Sequence, residues 1–483
     1  VGWDKLLSDT TSSASLILAP AKRALDSDGD GAINRYGGLD CAPDDKKINP
    51  GALDIPNNGV DEDCSGEDLT HTITLARREK KKHPLPKQWR ERIKSKKPHV
   101  IVITVDALSM DHTSIGGYKR DLTPALAELA KHSLVYEDAF ATGPSTRYTF
   151  PSMMASTYNA FMPLERERKP PNRWADDAIT LAEVMQSAGY QTAFLPGNEY
   201  FSAKEWPGLA QGFEHTELPP KELGHTSGWL TKRALELIET TNADPSAKPL
   251  FLWVHYYDPH DPYHTPEGTP SLGSEQLDKY DAEVAYMDAS WKPLLERVVK
   301  EETVLALTAD HGEVFGRPGT KHKHGFSLDT RVLHLPFVIH VPGAQPRRVK
   351  GLVSQLDLAT TVVNLLGLEP PDSWLGESLT PTIFGGAGPA KSHVLGLRYV
   401  PELQHEDGED PFLKISLRTD EFLWVEQIDK RRGALYRWRG DMNHREPLGQ
   451  DKATADTADA MRYATIKELE DLRSRERGLS GSK

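Results

Sequence analysis

Residues 99–106 read HVIVITVD, an unbroken β-branched run with no alternation of polar and apolar positions. Such a strand has to be covered on both faces, which requires a sheet with helices on each side. The run ends on a carboxylate, Asp106. YQTAFLP, LFLWVHYY, TVLALTAD and LPFVIHVP follow along the chain as further strands. Between them lie helical stretches with readable ends. LTPALAELAKH has Thr123 as N-cap and Pro124 in the first turn. In TLAEVMQSAGY, Thr180 and Glu183 form a capping box and Gly189 is the stop. A long helix is expected over about 275–300. The alternation predicts an α/β fold, a mostly parallel sheet flanked by helices.

In sheets of that kind, functional groups gather outside the carboxyl ends of the strands. Asp106 ends the first strand, Asp258 and His260 follow the FLWVHYY strand, and Asp310 and His311 end VLALTAD. Three separate strands thus deliver acids and imidazoles to one edge. Adjacent Asp310 and His311 offer an oxygen and a nitrogen ligand, suited to a borderline divalent ion, and Gly312 permits a sharp turn after them. In ATGPSTRYTFPSMMAS, Thr149 stands two residues before Pro151. With Pro151 in the first helical turn, Thr149 falls at a helix N-terminus, where amides and dipole favour an anion. A metal-bound Thr149 would be a usable nucleophile, against the plainer role of helix cap; Ser145, Thr146 and Ser152 are competing hydroxyls. His260 in DPHDPYH and His322 and His324 in GTKHKHG are candidates to bind an anionic ester or protonate a leaving group.

The organisation read from the sequence is an N-terminal segment (1–25), an Asp-rich module (26–68), a basic linker (69–97), a catalytic domain (98–388) and a C-terminal subdomain of antiparallel strands and a helix (389–483). The net charge of −13 argues against nucleic acid as a partner. The basic linker, ARREKKKHPLPKQWRERIKSKK, is expected to be a solvated helix or connector, with anionic lipid as an alternative contact. No run of about 18 apolar residues is present. The chain begins with Val1 rather than Met, so a signal peptide or membrane anchor could have preceded it, and an extracytoplasmic place such as a bacterial periplasm or cell surface is expected. Cys41 and Cys64 are the two cysteines, both in the Asp-rich module, and a stapling disulfide is preferred over two free thiols.

Taken together, VIVITVDALSMDHTSIGGYKRDLTPALAELA, FLWVHYYDPHDPY, LTADHGEVFG, HGFSLDTRVLHLPFVIHVPG, LVSQLDLATTVVNLLGLEPP and GALYRWRGDMNHREPL resemble the sulfatase branch of the alkaline-phosphatase superfamily. The resemblance implies that Asp106, Asp310 and His311 bind a divalent metal (Zn, Mn, Ca or Mg) with Thr149 completing the site. It implies that His260 and His324 contact the ester, with Arg147, Lys321 and His322 as further anion contacts. One departure matters. Sulfatases place Cys or Ser in a Cys/Ser-x-Pro-Ser-Arg motif and oxidise it to formylglycine; this chain has Thr149–Phe150–Pro151–Ser152–Met153. A threonine bears a β-methyl and cannot yield that aldehyde. The expectation is therefore phosphate-ester cleavage or phosphoryl-group transfer. A sulfate-ester hydrolase acting on glycans or lipids, and an inactive surface-binding protein on the same fold, are the alternatives.

The module's DSDGDG sets Asp26, Asp28 and Asp30 at alternate positions, a hard-oxygen pattern suited to Ca²⁺, although the twelfth position is Gly37 and not the Glu of an EF-hand. The segment resembles an Asp-rich metal-binding motif of bacterial secreted and surface proteins, which adds Asp40, Asp44, Asp61 and Asp63 as candidate ligands with a structural role.

Overall fold

The structure is a computed structural model that describes residues 25–34, 39–70, 72, 73, 75, 84–162, 164, 165, 173, 174, 178–269, 271–301, 303–315, 324–389, 391–400, 412–428, 432–440, 447–449 and 451–480. The chain divides into two compact units. The larger comprises Ala76–Leu423, Arg437–Arg445 and Leu479–Lys483; the smaller comprises Val1–Leu75, Trp424–Tyr436 and Glu446–Gly478.

The larger unit is built on a mixed, mostly parallel nine-stranded sheet. Its strands are β1 (His99–Val105), β2 (Leu134–Phe140), β3 (Gln191–Pro196), β4 (His215–Thr216), β5 (Leu250–Tyr256), β6 (Thr303–Ala309), β7 (His334–Leu335), β8 (Phe337–His340) and β9 (Arg347–Ser354). The order is β9-β2-β8-β6-β1-β5-β3-β4, with β7 paired to β2. The β-branched run takes the centre, as its two-sided apolar character requires: Val100–Val105 are buried throughout. Its parallel neighbours register Val105 opposite Tyr256 and Ala309, so three strands stop at one level. The amides just past those stops still pair: Asp106 N donates to Tyr256 O at 2.8 Å and Asp310 N to Val105 O at 3.0 Å. β8 runs against both of its partners, β2 and β6, and the short β7 runs against β2.

Helices α1 (Lys87–Ser95), α2 (Pro124–Ala130), α3 (Thr146–Ala155), α4 (Leu181–Ser187), α5 (Ser227–Ala243), α6 (Gln276–Lys300) and α7 (Asp357–Leu365) belong to this unit. The capping box of Thr180 and Glu183 forms at α4. The basic linker is not wholly solvated: Trp89 on α1 is buried and its indole donates to Leu365 O at 2.7 Å. One apolar ring in a basic run is enough to dock it, because burying a Trp outweighs the solvation preference of neighbours that stay exposed. A separate small antiparallel sheet contains Val394–Val400 paired with Phe412–Arg418.

In the smaller unit, Cys41 and Cys64 form a disulfide. The carboxylates of Asp26, Asp28 and Asp30 make one group, and those of Asp54, Asp61 and Asp63 a second. Asp26 accepts bonds from the amides of Gly29, Asp30 and Gly31, which folds the loop around it. Asp40 and Asp44 belong to neither group, and Asp40 instead accepts from Ala42 N. Arg462, on the helix Lys452–Ser480, donates to the carbonyls of Gly51 and Ala52 and to Glu426. No helix among the described residues is long and apolar enough to cross a membrane.

Glu283 on α6 is 1 % exposed. Its Oε1 accepts from His264 N at 2.7 Å, while Oε2 has no hydrogen-bond partner. Burial, opposed by that bond and reinforced by Asp258 and Asp261, pushes its pKa up to about 9. A carboxyl raised on folding contributes stability that is complete below its unfolded pKa and is lost as pH rises through the folded one. The melting temperature should therefore decline between about pH 5 and pH 9, and Glu283→Gln, which keeps the acceptor, should flatten that decline and exceed wild type at the alkaline end. Parallel melting curves for the two proteins across this range would show the group to be inconsequential.

Candidate active site

The common stopping level of β1 and β6 puts the Asp106 and Asp310 carboxylates side by side, and His311 adds its imidazole. One ligand atom from each lies within 4.8 Å of the others, and all three residues are buried. The local backbone is shaped for this. Ala107 takes a left-handed conformation (φ 58°), which costs an L-residue about 1 kcal/mol or more. Its amide lies 3.3 Å from Asp310 Oδ1, and its carbonyl accepts from the Tyr280 hydroxyl at 2.7 Å. Gly312 is required less for a turn than for close approach. A Cβ there would stand 2.3 Å from the Arg331 carbonyl and 2.5 Å from Ser109 Oγ. Ser109 in turn accepts from Glu313 N and clamps the loop after β6.

Electrostatics mark the group as incomplete. Asp106 Oδ1, Asp310 Oδ2 and His255 Nε2 are buried and make no hydrogen bond. Burial acts to raise Asp106, but the imidazoles of His260, His255 and His311 hold it well below the ordinary carboxylate range. Burial and the Asp106 charge push Asp310 up. Burial, with His324 beside it, lowers His311 and keeps its imidazole neutral. His311 Nδ1 is engaged by Gly312 O at 2.9 Å, which leaves Nε2 as the ligating atom. Two carboxylate oxygens without hydrogen-bond partners and a neutral imidazole nitrogen, desolvated together, fit a divalent cation: one positive centre would offset both carboxylates and satisfy the orphaned oxygens.

The hydroxyl at this group is that of Thr146, not Thr149. Thr146 Oγ1 lies 3.3 Å from His311 Nε2. Thr149 Oγ1 turns back along the helix to donate to Ser145 O at 3.2 Å. The difference comes from where α3 begins. Pro151 lies inside the helix and does not open it. It cannot donate to the carbonyl of Arg147 four residues earlier. That carbonyl accepts from the Asn159 side-chain amide at 3.2 Å instead. The helix therefore tolerates its proline and starts one turn before the position the proline suggested. Phe150 fixes the helix on the sheet, with its ring 5.4 Å from Trp253 and 5.1 Å from His255.

The remaining candidates divide. The rings of His260 and His324 are 5.1 Å apart, and His324 stands 4.6 Å from His311. Tyr257 stacks on His260. His260 Nδ1 lies 2.9 Å from the Tyr257 hydroxyl and 2.6 Å from Asp261 O. Arg147 is exposed at the rim, where its charge reaches Tyr200. Lys321 and His322 lie outside the described residues. Asp258 is engaged elsewhere: it accepts from Thr226 N and Ser227 N at 2.7 and 2.8 Å and so caps α5. Residues not singled out in the sequence also belong here. His255 comes from the middle of an apolar strand and approaches Asp106 Oδ2 at 3.7 Å. Gln355 donates to the carbonyls of Ala309 and Asp310 and accepts from Thr142 N, which ties β6 to the loop leading into α3. Glu313 lies directly after the Asp–His–Gly turn. A histidine inside LFLWVHYY and the acid in DHGE were the only signals available.

Comparison with known proteins places this geometry. The Sulfatase family model matches residues 98–368, more than half of the chain. The choline-sulfatase of Rhizobium meliloti (strain 1021) is 23 % identical over 379 residues, covering 60 % of this chain and 72 % of that protein. The Delta 4,5-hexuronate-2-O-sulfatase of Bacteroides thetaiotaomicron is 21 % identical over 427 residues, covering 74 % and 85 %. The crystal structure of the phosphonate monoester hydrolase of Agrobacterium radiobacter superposes with a TM-score of 0.63 at 18 % identity, over 78 % of this chain and 96 % of that one.

If the acidic group holds a cation, Mn²⁺ or Zn²⁺ at 100 times its Kd should add about 2.7 kcal/mol of stability and raise Tm by several degrees. Asp310→Asn should lose that increment and Thr149→Val should keep it. Differential scanning fluorimetry with and without chelator measures this, and an undiminished increment in Asp310→Asn would assign the cation elsewhere.

Proposed function

The chain belongs to the sulfatase family, and from that premise we propose that it is a divalent-metal-dependent enzyme cleaving or transferring an anionic ester, phosphate in preference to sulfate, with Thr146 as nucleophile. The observation that carries the reading is the Thr146 hydroxyl, 3.3 Å from His311 Nε2 at the start of α3 and beside two carboxylates with unpaired oxygens. A cation held by Asp106, Asp310 and His311 would lower the pKa of that hydroxyl and offset charge on the ester's non-bridging oxygens. The opening turn of α3 presents backbone amides to the same oxygens. Thr146 Oγ1 gives its proton to solvent and attacks phosphorus. The bond to the leaving oxygen breaks with its electron pair, and His324 or His260 supplies the proton that this oxygen needs. Water, or an alcohol acceptor, then attacks the phosphothreonine and restores the hydroxyl.

The preference for phosphorus rests on the residue type. A threonine cannot be oxidised to formylglycine, and a sulfothreonine lacks the hydrated aldehyde's route for expelling sulfate, whereas a phosphothreonine is open to attack at phosphorus. Relatives named for sulfate esters, choline-sulfatase among them, keep sulfate as the second reading. The proposal extends to the smaller unit. The Asp26, Asp28 and Asp30 carboxylates form a candidate Ca²⁺ site with a structural role, and the Cys41–Cys64 disulfide favours an extracytoplasmic location.

Turnover of p-nitrophenyl phosphate, bis(p-nitrophenyl) phosphate and p-nitrophenyl sulfate tests the reading. Thr146→Ala should cost at least ~10³-fold in kcat, as losing a nucleophile does, while Thr149→Val stays within about tenfold of wild type. Sulfate turnover above phosphate turnover would reverse the preference. No turnover of any ester by metal-loaded wild type would favour an inactive binding protein on this fold.

A further inference from the structure

His324 is held from behind. Its Nδ1 lies 2.9 Å from Glu313 Oε2. The same carboxylate oxygen accepts a hydrogen bond of 2.5 Å from the Tyr263 hydroxyl. Its other oxygen accepts from Val314 N at 3.0 Å. Glu313 is 1 % exposed, so this carboxylate is fixed by three donors in a site without bulk water. Its backbone is fixed too, because Glu313 N donates to Ser109 Oγ and Ser109 Oγ reaches Glu313 O at 3.1 Å. An imidazole whose Nδ1–H is taken by a rigid carboxylate has one free nitrogen and one ring orientation. The Nδ1 edge of His324 is turned to Glu313, while the ring stands 4.6 Å from the His311 ring and 5.1 Å from that of His260. His260, by contrast, rests on the Tyr257 ring and hydroxyl and the Asp261 carbonyl, and among the described residues no carboxylate is hydrogen-bonded to its ring.

We propose that Glu313, gripped by Tyr263, is the positioning residue that fixes His324 with Nε2 toward the reacting ester and so makes His324, rather than His260, the group that protonates the leaving oxygen. The inference rests on the reading of this site as an ester-cleaving centre and assigns a role that reading left open between two imidazoles. In the step concerned, Thr146 Oγ1 forms its bond to phosphorus as the bond to the leaving oxygen breaks. The electron pair of that bond stays on the leaving oxygen and takes the proton from His324 Nε2, and the alcohol departs neutral. Glu313 exchanges no proton with the substrate. It holds the ring and balances its charge while the proton is present.

A positioning role differs from a merely structural one in its dependence on the leaving group. A phenol that leaves poorly needs the proton, and p-nitrophenol needs it far less. The experiment compares paired phenyl and p-nitrophenyl esters of phosphate and of sulfate, with metal-loaded wild type, Glu313→Gln, His324→Ala, Tyr263→Phe and Thr146→Ala. Glu313→Gln should lower kcat on the phenyl ester about 100-fold and on the p-nitrophenyl ester less than about 5-fold, with KM little changed. Tyr263→Phe, a milder change, should lose about 5-fold with the same bias. The double variant Glu313→Gln/His324→Ala should be no worse than His324→Ala alone. Equal losses on both esters, or additive losses in the double variant, would overturn the proposal while a dead Thr146→Ala leaves the reading of the site intact. If Glu313→Gln fails to fold, the bias in Tyr263→Phe decides, and its absence overturns the proposal. Activity retained in Thr146→Ala, or absent from wild type, overturns the reading and the proposal with it.

Discussion

Two carboxylates forced together at the end of a buried sheet are the constraint on which the rest of the site depends. β1 and β6 are adjacent, parallel and in register, so Asp106 and Asp310 emerge at one level whether or not their charges suit each other. Neither can escape to water, because both are buried. Like charges in such a setting either share a proton or find a counter-charge. The imidazoles of His255, His260 and His311 crowd Asp106 for the same reason, yet atoms on both acids and on His255 remain unpaired. A sheet that needed only to fold would place apolar groups there. The arrangement is understandable when a cation completes it, and the strained Ala107 and the close-packed Gly312 hold its geometry.

Much of this was legible in the amino-acid order. The β-branched run reads as a central strand and acids at the ends of such strands meet at one edge, so the placing of Asp106, Asp310 and His311 follows from pattern, while their role as metal ligands comes from the resemblance. What escaped has identifiable causes. Pro151 reads as part of a first helical turn because prolines favour that position. The helix instead carries the proline inside, since Asn159 replaces the missing donor, and one turn of displacement exchanges Thr149 for Thr146. Asp258 followed a strand end as correctly as Asp310 did, but the amides of α5 claim it. Gln355 and Glu313 act through partners 45 to 213 positions away, or through a loop histidine, and no local pattern announces such contacts.

The smaller unit obeys a different economy. Its acidic loops bury little apolar surface, and its order comes from carboxylates that bond nearby amides, from one disulfide, and from Arg462 reaching two carbonyls more than 400 residues earlier. Small modules of this kind substitute covalent and ionic ties for a core. The long separation closed by Arg462 explains why the sequence reads as distinct pieces at its two ends while chain contacts gather them into one unit.

Gln355 carries a consequence of its own. One amide grips the carbonyls on either side of the Ala309–Asp310 bond with its nitrogen and the amide of Thr142 with its oxygen. The strand that ends in a candidate metal ligand and the loop that leads into α3 are therefore joined through a single planar group. The spacing between the end of β6 and the loop before α3 is held by the dimensions of that side chain rather than by the average of two independent loops.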